Sequence, residues 1–262
     1  GEAGRLGLST DSSEVPLPTL IPSLTNIASA HCGREHTLFI NKHGQLFSTG
    51  ANYGGRLGLG HSDDVLTPTL VSNKTALIHE KVTTASAGDM HSIILTNNGN
   101  VYTFGSNENG ACGHSSIQKT TTYPYPEMVE FRLPHSNSIF NKKQIDVAAG
   151  GYHSLTLDEE GSVWTFGSNV DGQLGHAGNN CSTPQRVPSL RGVKDSNFNS
   201  VSAGFCTSAA STKSSLHFWG NPDGQDGVES TTTQKYPKQI RLPNTTKVEC
   251  GGYGLAVLQK KK

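Results

Sequence analysis

Gly-Arg-Glu-His-Thr at 33–37 returns as Gly-Asp-Met-His-Ser at 88–92 and as Gly-Gly-Tyr-His-Ser at 150–154. Weaker copies follow at Gly204 to Ser208 and Gly251 to Leu255, and the leading glycines stand 55, 62, 54 and 47 residues apart. Two further markers keep step with the first. One is Gly-Arg-Leu-Gly at 4–7 and 55–58, then Gly110 to Gly113, Gly172 to Gly175 and Gly224 to Gly227. The other is a proline followed three residues later by an aliphatic residue: Pro18 to Ile21, Pro68 to Val71, Pro126 to Val129, Pro184 to Val187 and Pro237 to Ile240. A fixed order of markers at this period means stacked repeat units rather than one irregular core.

Each unit reads as four short strands. In the third copy these are Ile145–Ala149, Ser154–Leu157, Ser162–Phe166 and a fourth near Arg186–Val187, with Asp158–Gly161 as the turn between the second and third. Ser154–Leu157 alternates polar and apolar residues, the pattern of a half-buried strand. Glycine, 30 of 262 residues, punctuates the units where turns need a positive φ. Four-stranded units in series form the blades of a propeller, an all-β fold. The predicted units run over about 1–26 (partial), 27–81, 82–143, 144–198, 199–246 and 247–262 (partial), one domain incomplete at both ends. The residue before each marker glycine is small (Cys32, Ala87, Ala149, Ala203, Cys250), which predicts tight inner packing and inert cysteines.

Lysine plus arginine and aspartate plus glutamate are 21 each, so no overall field draws the chain to nucleic acid or an anionic membrane. No run approaches the ~20 apolar residues of a spanning helix. Five cysteines without a Cys-x-x-Cys pair fit an intracellular, reducing compartment, cytoplasm or nucleus. No signal peptide opens the chain, and the absence of an initial Met predicts that an N-terminal part is missing.

The order of markers (small-Gly-x-x-His-Ser/Thr, Val-Tyr/Trp-Thr-Phe-Gly-Ser-Asn, then Asn/Asp-Gly-Gln-Leu-Gly) resembles the regulator-of-chromosome-condensation repeat from Gly4 to about Val257. The resemblance implies four-stranded blades, about five blades' worth of a seven-bladed propeller. It also implies two functions: a non-catalytic platform that binds proteins or, as the alternative, guanine-nucleotide exchange on a small Ras-like GTPase. A photoreceptor of this family carries tryptophan in the Gly-Trp-Arg-His-Thr form of the repeat. Here Arg34, Asp89, Gly151, Phe205 and Gly252 take that position, which excludes photoreception.

No phosphate loop, nucleophile elbow or His-Glu-x-x-His is present, so the reading assigns no catalytic residue, cofactor or metal. His36, His91 and His153 share one repeat position. Equivalent positions on separate blades are too far apart for one ion, and a bond to backbone near the strand start is expected instead. The second unit is the longest, with its excess placed between Ser115 and Lys143. That segment carries Tyr123, Tyr125, Phe131, Arg132, Phe140, Lys142 and Lys143, the aromatic and cationic types that anchor protein interfaces. These are the candidate partner-binding residues, and the shorter loops Asn52–Gly55 and Asn169–Gly172 are the alternative.

Overall fold

A computed structural model describes residues 2–9, 14–71, 77–115, 121–132, 139, 142–190, 197–221, 233–251 and 255–259. They form two compact units, one of residues 1–108 and 118–129, the other of 109–117 and 130–262. The first unit holds two antiparallel sheets in chain order: β1 (Ile27–Cys32), β2 (His36–Asn41), β3 (Leu46–Gly50) and β4 (Val65–Leu70), then β5 (Val82–Ala87), β6 (His91–Thr96), β7 (Val101–Ser106) and β8 (Thr122–Met128). The second holds β9 (Gln144–Ala149), β10 (His153–Asp158), β11 (Val163–Gly167) and β12 (Cys181–Arg186), then β13 (Ser200–Ala203), β14 (Thr207–Ser211), β15 (Ser215–Gly220) and β16 (Gln234–Arg241). A two-stranded pair, β17 (Thr245–Cys250) and β18 (Leu255–Gln259), completes it. Sheets of this order are the blades of a β-propeller. The partial unit at 1–26 contributes no strand among its described residues, where the Pro18 to Ile21 marker lies in irregular chain.

Neighbouring sheets of a unit share apolar cores. Leu38, Ile40 and Leu46 meet Ile94, Tyr102 and Phe104 in the first unit. Leu155, Leu157 and Val163 meet Val201, Ala210 and Trp219 in the second. The second strand of each sheet is not half-buried as its alternation predicts; β2, β6 and β10 are buried at every residue. Their polar side chains enter the interior and so must find partners there. Within β10, Ser154 donates to the Ala111 carbonyl (2.8 Å) and Thr156 to the Gln144 side-chain oxygen (2.7 Å).

Those partners join the sequence markers to one another. The hydroxyl after the marker histidine, or after Thr207 in the fourth copy, donates to the second residue of a Gly-x-Leu-Gly-type loop: Thr37 to Arg5 O (2.8 Å), Ser92 to Arg56 O (2.8 Å), Ser154 to Ala111 O (2.8 Å) and Ser208 to Gln173 O (2.7 Å). The histidine of the preceding sheet closes on the same hydroxyl, His36 Nε2 on Ser92 at 2.8 Å and His153 Nε2 on Ser208 at 2.9 Å. Each hydroxyl spends its proton on the carbonyl, so the imidazole Nε2–H is the donor. Burial first, then the nearby Arg56 charge, pushes the His36 pKa down to about 3; burial takes His91 down to about 4.

A glycine makes room for this relay. Gly50, Gly105, Gly167 and Gly220 have φ of 118°, 113°, 110° and 101°, a region L side chains rarely enter. A Cβ on Gly167 would lie 2.5 Å from Tyr152 O and 2.6 Å from the His153 Cα, and Gly50 and Gly105 meet the equivalent atoms at 2.5 and 2.7 Å. This glycine ends the third strand beside the histidine, so it serves close approach as well as turning.

Two outcomes follow. An imidazole held neutral in the fold but free to protonate when unfolded makes stability rise with pH. The contribution is full above the unfolded pKa of ~6.5 and is lost at about 1.4 kcal/mol per pH unit per histidine as pH falls towards 4. Burial raises the Asp89 and Asp146 carboxyls, which act in the opposite sense near the carboxylate range. Urea unfolding at pH 7.5 and 5.5 therefore loses less stability on acidification in His36→Gln than in the wild type; equal losses would show that His36 does not titrate this way. Second, Gly167→Ala lowers unfolding free energy by about 2 kcal/mol or more. Gly178→Ala, at φ 123° with nothing within 4 Å of its Cβ, carries the backbone cost alone and loses less.

Candidate docking surfaces

The marker histidines serve the fold. The partner of His36 and of His153 is a side-chain hydroxyl of the following sheet, not the backbone group expected from sequence, because the repeat places a Ser opposite each ring. Among the described residues no three His, Cys, Asp or Glu side chains stand together as a metal site. Cys250 fits the inert reading: its thiol is pushed up to about 12 by burial, although the residue as a whole is partly exposed. Cys32 is exposed, which corrects the expectation of a packed filler there.

The Ser115–Lys143 segment is not one loop. Gly50 pairs with Val65 and Gly167 with Cys181, but Gly105 pairs with Tyr123, so part of the excess precedes β8 and the rest follows it. Tyr123 and Tyr125 lie on β8 itself, in the first unit. The Tyr125 ring covers Gly60, where a Cβ would fall 2.2 Å from its Cζ and hydroxyl, and the residue stays 43% exposed. Phe131, Arg132, Lys142 and Lys143 belong to the second unit. Phe131 is core rather than an exposed anchor: it is 6% exposed and meets the Trp164 ring edge-on at 5.5 Å. Trp164 is itself fixed by its indole N–H to Asp158 Oδ2 (2.9 Å). Arg132 pairs with Glu130 and Lys142 with Glu160, both at 2.6 Å, so these two cations are offset by neighbouring carboxylates. The exposed Lys143 exchanges backbone contacts with Glu159. Phe140 lies outside the described residues.

The loops between third and fourth strands share a frame. Asn52 accepts from the Leu57 N–H (2.9 Å) and donates to His61 O (2.8 Å). Asn169 accepts from the Leu174 N–H (3.0 Å) and donates to His176 O (3.1 Å) and Gly178 O (2.9 Å). Both asparagines are buried, and the residue after each points outward: Tyr53 is 64% and Val170 79% exposed. In the second unit a groove of about 650 Å³ lies between Asn169–Val170, His176–Asn180 and the first residues of β16, Lys235 and Tyr236. The sequence carried a signal for these tips, an asparagine two residues after the third-strand glycine (Gly50 and Asn52, Gly167 and Asn169), but not for the groove.

The regulator of chromosome condensation (RCC1) repeat matches residues 1–40, 43–95, 98–157 and 160–210, and a second form of it matches 82–111 and 144–173. Human Protein RCC2 is 32% identical over 92% of this chain and 48% of its own length. The Ultraviolet-B receptor UVR8 of Arabidopsis thaliana is 30% identical over 99% of this chain and 57% of its own. Human E3 ubiquitin-protein ligase HERC2 is also 30% identical, over 98% of this chain but 5% of its own length. The chain thus spans about half or less of these relatives. Prp20p from Saccharomyces cerevisiae, solved with an account of its binding to Gsp1p and histones, superposes with a TM-score of 0.79 at 25% identity, over 99% of this chain and 63% of that one. With the repeat matched over most of its length and its markers joined in one hydrogen-bond scheme, the chain belongs to the regulator of chromosome condensation (RCC1) repeat family.

Proposed function

We propose that the chain is a docking platform for other proteins and performs no covalent chemistry of its own. The observation that carries this reading is the pair of loops held in one frame by Asn52 and Asn169 yet presenting different residues, Tyr53 and Val170. A rigid frame with variable, exposed tips is how recognition is built on a repeat scaffold. The polar groups that recur from copy to copy, such as His36, His153, Ser92, Ser208, Asn52 and Asn169, are committed to internal bonds. Tyr123 and Tyr125 on the first unit are further candidate contacts, as are, separately, Arg132, Phe140, Lys142 and Lys143 of the second; Phe131 is core. The five cysteines form no disulfide, which fits work in a reducing compartment, cytoplasm or nucleus.

Nucleotide exchange on a small Ras-like GTPase is the second reading. It is favoured by the likeness to Prp20p, whose structure was described with its binding to Gsp1p. Affinity capture of the full-length protein followed by mass spectrometry separates the two. A reproducible assembly without GTPases supports the platform; one nucleotide-free GTPase supports exchange. Replacing Tyr53 and Val170 by Ser lowers capture of the principal partner by about tenfold or more, with the melting temperature unchanged. Retention at wild-type level would move the contact to Tyr125 on the first unit or, separately, to Arg132 on the second.

A further inference from the structure

The outermost strands of the four-stranded sheets differ in charge. β4 has no charged residue, β8 has only Glu127, and the one cation of β12, Arg186, is drawn over the Trp164 ring (4.8 Å) beside Asp158. β16, Gln-Lys-Tyr-Pro-Lys-Gln-Ile-Arg, has Lys235, Lys238 and Arg241 exposed and no acidic residue. Among the described residues none of these three cations is in an ion pair. In a chain of net charge zero that concentration is local and specific.

The strand is also open. It pairs with β15 on one side and, among the described residues, with no strand on the other. Its cations flank that edge from two directions: Lys238 Nζ stands 5.9 Å from the Phe218 ring centroid, while the stem of Lys235 packs on Gly172 of the preceding loop. A peptide lying along an edge turns alternate side chains to the two faces of the sheet and so meets cations from both. Pro237 removes one backbone donor, so recognition runs through side chains rather than full strand addition. At the first residues of β16 the strand runs into the groove, where Val170 (79% exposed) and Tyr236 (52% exposed) supply apolar walls. Lysines on an edge also guard against strand pairing, but that role requires neither a groove nor exposed apolar residues at its mouth.

We infer that β16 and its adjoining groove form a docking track for an acidic, extended peptide segment of a partner protein, with an apolar residue of that segment in the groove. The inference rests on the platform reading but names a surface other than the Tyr53 loop. Nucleic acid is the weaker occupant: it demands a net basic surface with stacking aromatics, and here a neutral chain offers three cations and Tyr236.

Fluorescence anisotropy of a labelled peptide alternating Glu and Val, titrated with the full chain, tests it. The peptide binds, more weakly as salt is raised, and Lys235→Glu/Lys238→Glu/Arg241→Glu weakens it by about tenfold or more. The milder Gln variants at the same positions weaken it less, and charge reversal at Lys42 and Lys81 does not. Absence of binding, an equal loss in the Lys42/Lys81 variant, or tighter binding of single-stranded DNA of the same charge overturns the proposal. So does binding that appears only after Asp223, Asp226 and Glu229 are made neutral, which assigns the track to the chain's own acidic stretch. These variants leave the Tyr53 loop untouched, so the platform reading through that loop stands or falls separately, whereas Val170 is common to both surfaces.

Discussion

Everything in this structure depends on a hydroxyl shared between neighbouring sheets. A Ser on a buried second strand gives its proton to a loop carbonyl of the sheet before it, and a histidine of that sheet donates to the same oxygen. The second strand is enclosed on both faces, so its polar residues have no water to return to. An unmet hydroxyl or imidazole there costs about 1–3 kcal/mol. The relay turns that liability into registration: a sheet displaced along its neighbour loses several bonds together, whereas apolar packing alone tolerates sliding.

The loop that accepts these bonds is fixed from three sides. In the second unit Gln173 O takes the Ser208 proton, Leu174 O takes that of Thr165, and the Leu174 N–H goes to Asn169. In the first unit Arg56 O, Leu57 O and the Leu57 N–H are held in the same way by Ser92, Ser48 and Asn52. Function follows from this economy of positions. The frame is held largely by backbone groups and buried side chains, while the Tyr53 and Val170 side chains between them face solvent, Tyr53 joining the frame only through its carbonyl, which accepts from Arg56 Nε (3.2 Å).

The repeat made the sheets legible in the sequence because period, turn chemistry and strand alternation agree in each copy. The third copy's strands fall where the pattern around Val147, Leu155 and Val163 puts them. What sequence could not show is which faces are covered. Ser154 alternates with Leu155 as it does in a half-solvated strand, and only stacking on both sides buries it. The length of the second unit places Tyr123 and Tyr125 in the long Ser115–Lys143 segment, yet they lie on β8, an outermost strand where the donors that Pro124 and Pro126 lack are not needed. Phe131 looked like an interface anchor until Trp164 was found against it. The cations of β16 were visible in the sequence, but the absence of an ion pair to them among the described residues and their place beside a groove are tertiary facts.

The claim at the centre of this account is that the histidine and hydroxyl markers act as one inter-sheet unit. A double-mutant cycle on His153 and Ser208, each replaced by Ala and followed by chemical denaturation at neutral pH, measures it directly. The account predicts that the two losses are non-additive, with a coupling energy of about 1 kcal/mol or more. Losses that add to within about 0.3 kcal/mol would mean that the two residues stabilise the sheets independently and that the relay does not exist.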